Sequence, residues 1–212
     1  TRFVPFRERP GDDVSCLNLY APQEPAILGA QKAFYTTGSF SFQDSLASTP
    51  EQKKNPWLLL DSSGTEPFVP AIADANTLQY IMRLSLGSDL IIRAGTGGEL
   101  RLRFVAALED SILQGKLIIS ESNFLRAFPD QEGYRFFLLD VPQASAAATA
   151  SQLQEGLADY GFAVEATGER LAGELLGQAQ RAIARVVAQV GRVIRKMHHI
   201  TAGMLGQDRR EH

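Results

Sequence analysis

The stretch "LRLRFVAALEDSILQGKLIISESNFLRAFPDQEGYRFFLL", Leu100 to Leu139, decides how the chain is read. It alternates, breaks, runs apolar, breaks again and then alternates once more. Leu100, Leu102 and Phe104 fall on one face of a strand and Arg101 and Arg103 on the other, the period-two pattern of a half-buried strand. The link "SILQG" leads into "KLIIS", a short buried strand. "ESNFLRAF" then allows one or two helical turns, with Ser120 or Glu121 near the N-cap and Pro129 ending it. "YRFFLLDV" is a further strand. No residue in the stretch is an obvious catalyst, so its reading comes from architecture.

Working upstream, "DLIIR" and "ELRLRFVAAL" flank Gly95-Thr96-Gly97-Gly98, which predicts a β-hairpin. A glycine-rich loop that cradles phosphate needs a helix after the glycines, and here a strand follows. Phe68–Ile72 reads as a strand, after which Asp74 can cap a helix with Leu78, Ile81, Met82 and Leu86 on its apolar face, closed by Gly87. "AILGAQKAFYTTGSFSFQDSLASTPEQKKNP" is rich in turn residues and suggests short strands and an exposed irregular connection. "TRFVPFRE" is a strand ended by "RPGDD". Downstream, Pro142 and Ser145 open a helix over 145–160 with Ala150, Leu153, Leu157 and Tyr160 on one side; Gly161 ends it and "FAVEAT" returns as a strand. Strand 134–141, helix 145–160 and strand 162–166 have the size of a βαβ unit. The fold class is α+β, with two sub-regions in the body.

At 212 residues, 44% hydrophobic and 21% charged, the chain can bury a real core. No run of 18 apolar residues and no signal-peptide pattern occur, and because the sequence begins at Thr1 rather than Met it is expected to be an excised or processed piece. Charge is uneven: residues 1–166 carry −7 and residues 167–212 carry +4, together the stated −3. Aromatic residues stop at Phe162. An acidic, aromatic-bearing body, 1–166, is therefore separated from a basic, aromatic-free tail, 167–212.

Catalytic chemistry finds little footing. Cys16 is the sole cysteine and reads as a small core residue. His198, His199 and His212 all lie in the tail, and HExxH, GxSxG and nucleotide-binding loops are absent from the sequence. Adjacent His198 and His199 point about 100° apart on a helix, unlike the i, i+4 pair a metal uses. Asp12 and Asp13 read as a solvated turn. Neither an enzyme, a cofactor nor a metal site is expected. An acidic body and a basic segment without interleaved aromatics also argue against nucleic acid.

The segments "FRERPGDDVSCLNLYAPQEPAILG", "VPAIADANTLQYIMRLSLGSDLIIR" and "LRLRFVAALEDSILQGKLIISESNFLRAFPDQEGYRFFLLDV" resemble, in that order, the extracytoplasmic (periplasmic core) domain of FtsX/MacB-type ABC transporter permeases. The likeness runs from Arg7 to about Arg170, and its specificity lies in the order of segments. It implies a βαβ-based, porter-like region with a mostly-β region inserted in it, held at the inner membrane and facing the periplasm. It also implies partners: the transmembrane part of the same permease, a separate cytoplasmic ABC ATPase, and a periplasmic protein or lipoprotein.

The tail departs from that family, in which an apolar membrane helix would follow about Leu171. In "LAGELLGQAQRAIARVVAQVGRVIRKMHHITAGMLGQDRREH", Leu176, Ile183, Val190, Met197 and Met204 recur every seven residues, with Ala179, Val186, Val193 and Ile200 as a companion row and Val187 and Ile194 beside them. A long amphipathic helix from about Thr167 to about Gly203 is expected. Ile183, Val186, Val187, Val190, Val193, Ile194 and Met197 form its interaction stripe. Such a stripe can lie on its own body or a symmetry mate, on a partner as a stalk, or on a membrane surface. A second function is thus a stand-alone α+β interaction module that assembles, as a homo-oligomer, through this helix.

Overall fold

The computed structural model describes residues 2–11, 25–35, 40–61, 67–109, 111–157, 162–166 and 181–188. They form an α+β fold in two compact units. One is assembled from Thr1–Pro5 and Glu132–His212, and the other is the intervening Phe6–Gln131. The division falls inside the first strand, β1 (Arg2–Arg9), and after the helix that precedes Glu132.

The intervening unit is a mixed sheet in the order β3 (Phe42–Ser45), β6 (Glu99–Leu108), β4 (Val69–Asp74), β7 (Lys116–Ser120), β2 (Ala26–Ala30) and the second half of β1; β5 (Asp89–Arg93) also pairs with β6. β2 runs parallel to β7 with Ile27 beside Leu117, while β4 meets β7 antiparallel at Ile72 and Ile118. β4 and β6 are parallel, and a register shift after Ala71 resets the alternation. That shift is why Leu102, Phe104 and then Ala107 all belong to one core, with Ile27, Ala71, Ala73, Leu117 and Ile119. β7 is buried at all five positions, so its continuous apolar run is the signature of a strand covered on both faces.

Helix α3 (Glu121–Ala127) covers one face. Ser120 Oγ accepts from Asn123 N at the N-cap, 3.3 Å, and Phe124 and Phe128 sink into the core. It can lie close because β2 carries a glycine where it crosses: a Cβ on Gly29 would stand 2.8 Å from Phe124 Cβ and Cγ.

An aromatic cluster holds the segment read as an exposed connection. The 3-10 turn Pro56–Leu60 places Trp57, 1% exposed, edge-on to Phe34, Phe40 and Phe42 at 4.7, 5.9 and 5.3 Å, and Phe34 meets Phe6 at 5.0 Å. The short helices α1 (Lys32–Tyr35) and α2 (Pro50–Lys54) lie in this segment, α2 closed by a Thr49/Gln52 capping box. The turn residues make short strands and bends, and residues 41–55 are exposed or half-buried as expected, while Phe34 and Tyr35 ahead of them are buried.

In the other unit, β8 (Phe136–Pro142), α4 (Gln143–Leu157) and β9 (Phe162–Ala166) follow one another as expected. Phe137, Leu139 and Val141 pack with Ala146 and Leu157, and with Leu153 and Val164 at the margin. A third strand, β10 (Arg181–Ala188), lies between β8 and β9 and is antiparallel to both. β8 and β9 are therefore parallel and separated by one strand, a split βαβ. This alters the reading of the tail. Arg181–Ala188, placed within the long helix expected over 167–203, are a strand bonded along both edges; the remainder of that helix lies outside the described residues. Valine and isoleucine at χ1-restricted positions suit a strand at least as well as a helix, and strand pairing decides between them.

Candidate interaction surface

β4 ends at Asp74, which is fully buried and fixes the backbone beyond it. Its Oδ1 accepts from Asn76 N at 3.0 Å and its Oδ2 from Ser111 N at 2.6 Å. Thr77 Oγ1 accepts from Gly115 N at 2.8 Å, fastening the same segment to the turn before β7. The chain then winds as a π-helix over Thr77–Met82 and stops at Arg83, whose φ of 56° is left-handed. Both Arg83 N and Leu84 N donate to Leu78 O, the latter at 2.9 Å.

This differs from the expected α-helix running to Gly87 with Ile81 inward. In i→i+5 winding Met82 comes under Leu78, and Ile81 swings off the apolar face. Leu78 is buried and Met82 and Leu86 pack against the core, but Ile81 is 39% exposed and Tyr80 is 69% exposed. A π-turn and a non-glycine left-handed residue are costly and concentrate where a surface does something.

The β5–β6 hairpin stands next along the chain. Its register sets Asp89 opposite Arg103, Ile91 opposite Arg101 and Arg93 opposite Glu99 on the outer face. On the inner face Ile92 and Leu102 are buried, and Leu90 and Leu100 pack at the margin of the core. Arg103 grips Asp89 with two hydrogen bonds, 2.7 and 2.9 Å, while its guanidinium lies 4.0 Å over the Phe68 ring. The hydrogen bond from Arg103 holds the Asp89 carboxyl below the usual carboxylate range, against the opposing effect of desolvation. At the tip, Gly97 is left-handed at φ 86° and Gly95 N donates to Ala127 O at 2.9 Å. The glycine-rich segment is thus a hairpin loop followed by β6, as expected.

The buried polar groups hold the framework. Lys116 Nζ meets Glu8 Oε1 at 2.6 Å with both side chains about nine-tenths buried, and Arg7 Nε meets Glu121 Oε1 at 2.9 Å. Burial, with Asp61 and Glu121 adding, pushes the Tyr35 phenol up beyond its ordinary range. Among the described residues no group of three His, Cys, Asp or Glu is placed to hold a metal ion.

Of the tail stripe, Ile183, Val186 and Val187 lie in β10 opposite Asp140, Phe137 and Phe136 of β8. Val190, Val193, Ile194 and Met197 lie outside the described residues, as do Cys16, Asp12, Asp13 and the three histidines. Among the described residues the exposed large apolar side chains are Phe3, Leu46, Tyr80, Ile81, Ile91 and Leu125, of which Tyr80, Ile81 and Ile91 belong to the two segments just described. The sequence signals of these segments were slight: "DLIIR" places opposite charges at the two ends of an apolar strand, and nothing in "NTLQYIM" distinguishes π from α winding.

Fold and surface together define an α+β chain in which a split βαβ unit is interrupted by a mixed-sheet unit. Comparison with protein families, curated proteins and solved structures finds no match.

Proposed function

We propose that this chain is the extracytoplasmic domain of an FtsX/MacB-type ABC transporter permease, held at the inner membrane and facing the periplasm. There it would couple ATP hydrolysis by a separate cytoplasmic ATPase to the handling of substrate or a periplasmic partner. The observation that carries the proposal is the interruption. The unit with the split βαβ takes the first residues and the last described strand, while Phe6–Gln131 form a separate, mostly-β unit within it. That is the arrangement the segment order of such permeases implies.

No helix among the described residues is long and apolar enough to cross a membrane, so the proposal requires spans elsewhere in the intact gene product. Spheroplasts of the source cell, probed with an antibody to this chain, test it. The epitope should sediment with membranes and be digested by protease added outside. Recovery in the cytosolic fraction, shielded from protease until lysis, would overturn the proposal.

A further inference from the structure

β5 pairs with β6 and with no other described strand. The bonds Ala94 N to Gly98 O, 2.8 Å, and Phe104 N to Ser88 O, 3.1 Å, bracket the ladder at either end. Antiparallel alternation then assigns the bonded pairs to Leu90/Leu102 and Ile92/Leu100. The N–H and C=O groups of Asp89, Ile91 and Arg93 consequently lie along the outer edge. Ile91 is 53% exposed and Arg93 is exposed. An apolar side chain in the middle of an open edge invites another strand.

The charges name that strand. We propose that β5 pairs with β5 of a second copy of this chain, antiparallel about Ile91, so that the sheet continues from one copy into the other. With Ile91 opposite the partner's Ile91, Asp89 stands opposite the partner's Arg93, and the reverse pair repeats across the two-fold axis. All three opposed positions then have outward N–H and C=O groups, giving about six interchain backbone bonds. Extended across both hairpins, the outer row reads Arg103, Asp89, the partner's Arg93, the partner's Glu99. The signs alternate along its whole length.

Neighbours in such a row sit at cross-strand distance, where opposite charges attract and like charges repel. A parallel copy would set Asp89 against Asp89 and Arg93 against Arg93. A register slipped by two would oppose Ile91 to a charge and break both ion pairs. Charged edges usually exclude every neighbour; this one admits its own copy in one register. The surface is distinct from the tail stripe, and the inference stands whether or not the chain belongs to a permease.

Sedimentation equilibrium of the full chain over a concentration series, with amide hydrogen exchange at both ends of the series, tests the pairing. The expected result is a monomer–dimer equilibrium in which the Ile91 and Arg93 amides become protected as concentration rises, while Leu90 and Ile92 are protected throughout. Arg93→Glu should raise the dissociation constant by at least about tenfold, since two rows each lose an attraction and gain a repulsion. Mixing Arg93→Glu with Asp89→Lys should restore a mixed dimer that neither forms alone. Should Asp89→Lys lose its fold along with its Arg103 partner, the exchange result on the unaltered chain still decides. A monomer at every concentration up to about 1 mM would overturn the pairing. So would a dimer indifferent to Arg93→Glu, or one whose Ile91 and Arg93 amides stay unprotected.

Discussion

Replacing Gly29 by alanine should be among the most costly single-methyl changes in the intervening unit. The new Cβ would fall 2.8 Å from Phe124 Cβ and Cγ and 3.1 Å from Cδ2, well inside van der Waals contact. Phe124 has no room to yield, being fully buried between β2 and the core. Its helix is fixed by the Ser120 cap and by the 2.9 Å contact from Arg7 to Glu121. β2 is fixed as well, since Gly29 is paired in register with Ile119. Overpacking of this kind costs about 1–3 kcal/mol. Against it stands the smaller unfolded-state entropy of alanine, worth about 0.4–1 kcal/mol. The net loss is then about 1–2 kcal/mol. Urea unfolding followed by Trp57 fluorescence measures it cleanly, because Trp57 is the sole tryptophan and sits in the aromatic cluster of the same unit. Gly98→Ala is the control: a Cβ there meets nothing within 4 Å, so the entropic gain should appear alone as a small rise in midpoint. Adding Phe124→Leu to Gly29→Ala should recover part of the loss, and the coupling is the diagnostic quantity. An unchanged or raised midpoint for Gly29→Ala would refute the reasoning, because helix α3 would then be free to shift.

Lys116→Met should cost about 3–5 kcal/mol by leaving Glu8 buried without its cation, and adding Glu8→Leu should restore most of it in the same urea assay. For Asp89, the folded carboxyl titrates below its unfolded value, so its contribution is present above about pH 4 and is lost as pH falls through the folded value. Asp89→Asn should therefore lower stability at neutral pH and flatten the acid limb of a stability–pH curve; an unaltered limb would deny the Arg103 bond its role. At the hairpin tip Gly97→Val should cost about 1–2 kcal/mol because φ is 86°, while Gly98→Val should cost less, and equal losses would argue against backbone strain as the cause.

The sequence carried the strands well because period two and buried apolar runs are local signals. "ELRLRFVAAL" and "KLIIS" became β6 and β7, and Ser120 became the cap of α3. The turn-rich segment was legible as short strands and an exposed connection, but its aromatic cluster was not, because Phe34, Phe40, Phe42 and Trp57 are scattered along the chain and meet only in the fold. The Thr49–Gln52 spacing was nonetheless a readable capping box. The stretch Arg181–Ala188 had an apolar period compatible with a helix, and pairing with β8 and β9, which no local window contains, made it a strand. The surface was least legible. Exposure of Tyr80 and Ile81 follows from the winding of one short helix, and the open edge of β5 follows from which strands it fails to meet.

That winding has a consequence for how such a segment can change over generations. A π-turn holds one residue more than the α-turn it replaces. Between Leu78, whose carbonyl receives two amides, and Arg83, which reverses the chain, there is thus a surplus of a single residue. Loss of one codon among Gln79, Tyr80 and Ile81 would let ordinary α winding close the same gap. It would relieve the left-handed arginine and remove the outward bulge in one step. The anchors at Asp74 and Thr77 lie before the gap and would be untouched. Lineages that keep the bulge are then retaining something a minimal deletion could discard, and length variation at these three positions becomes a direct readout of whether the exposed aromatic matters to the cell.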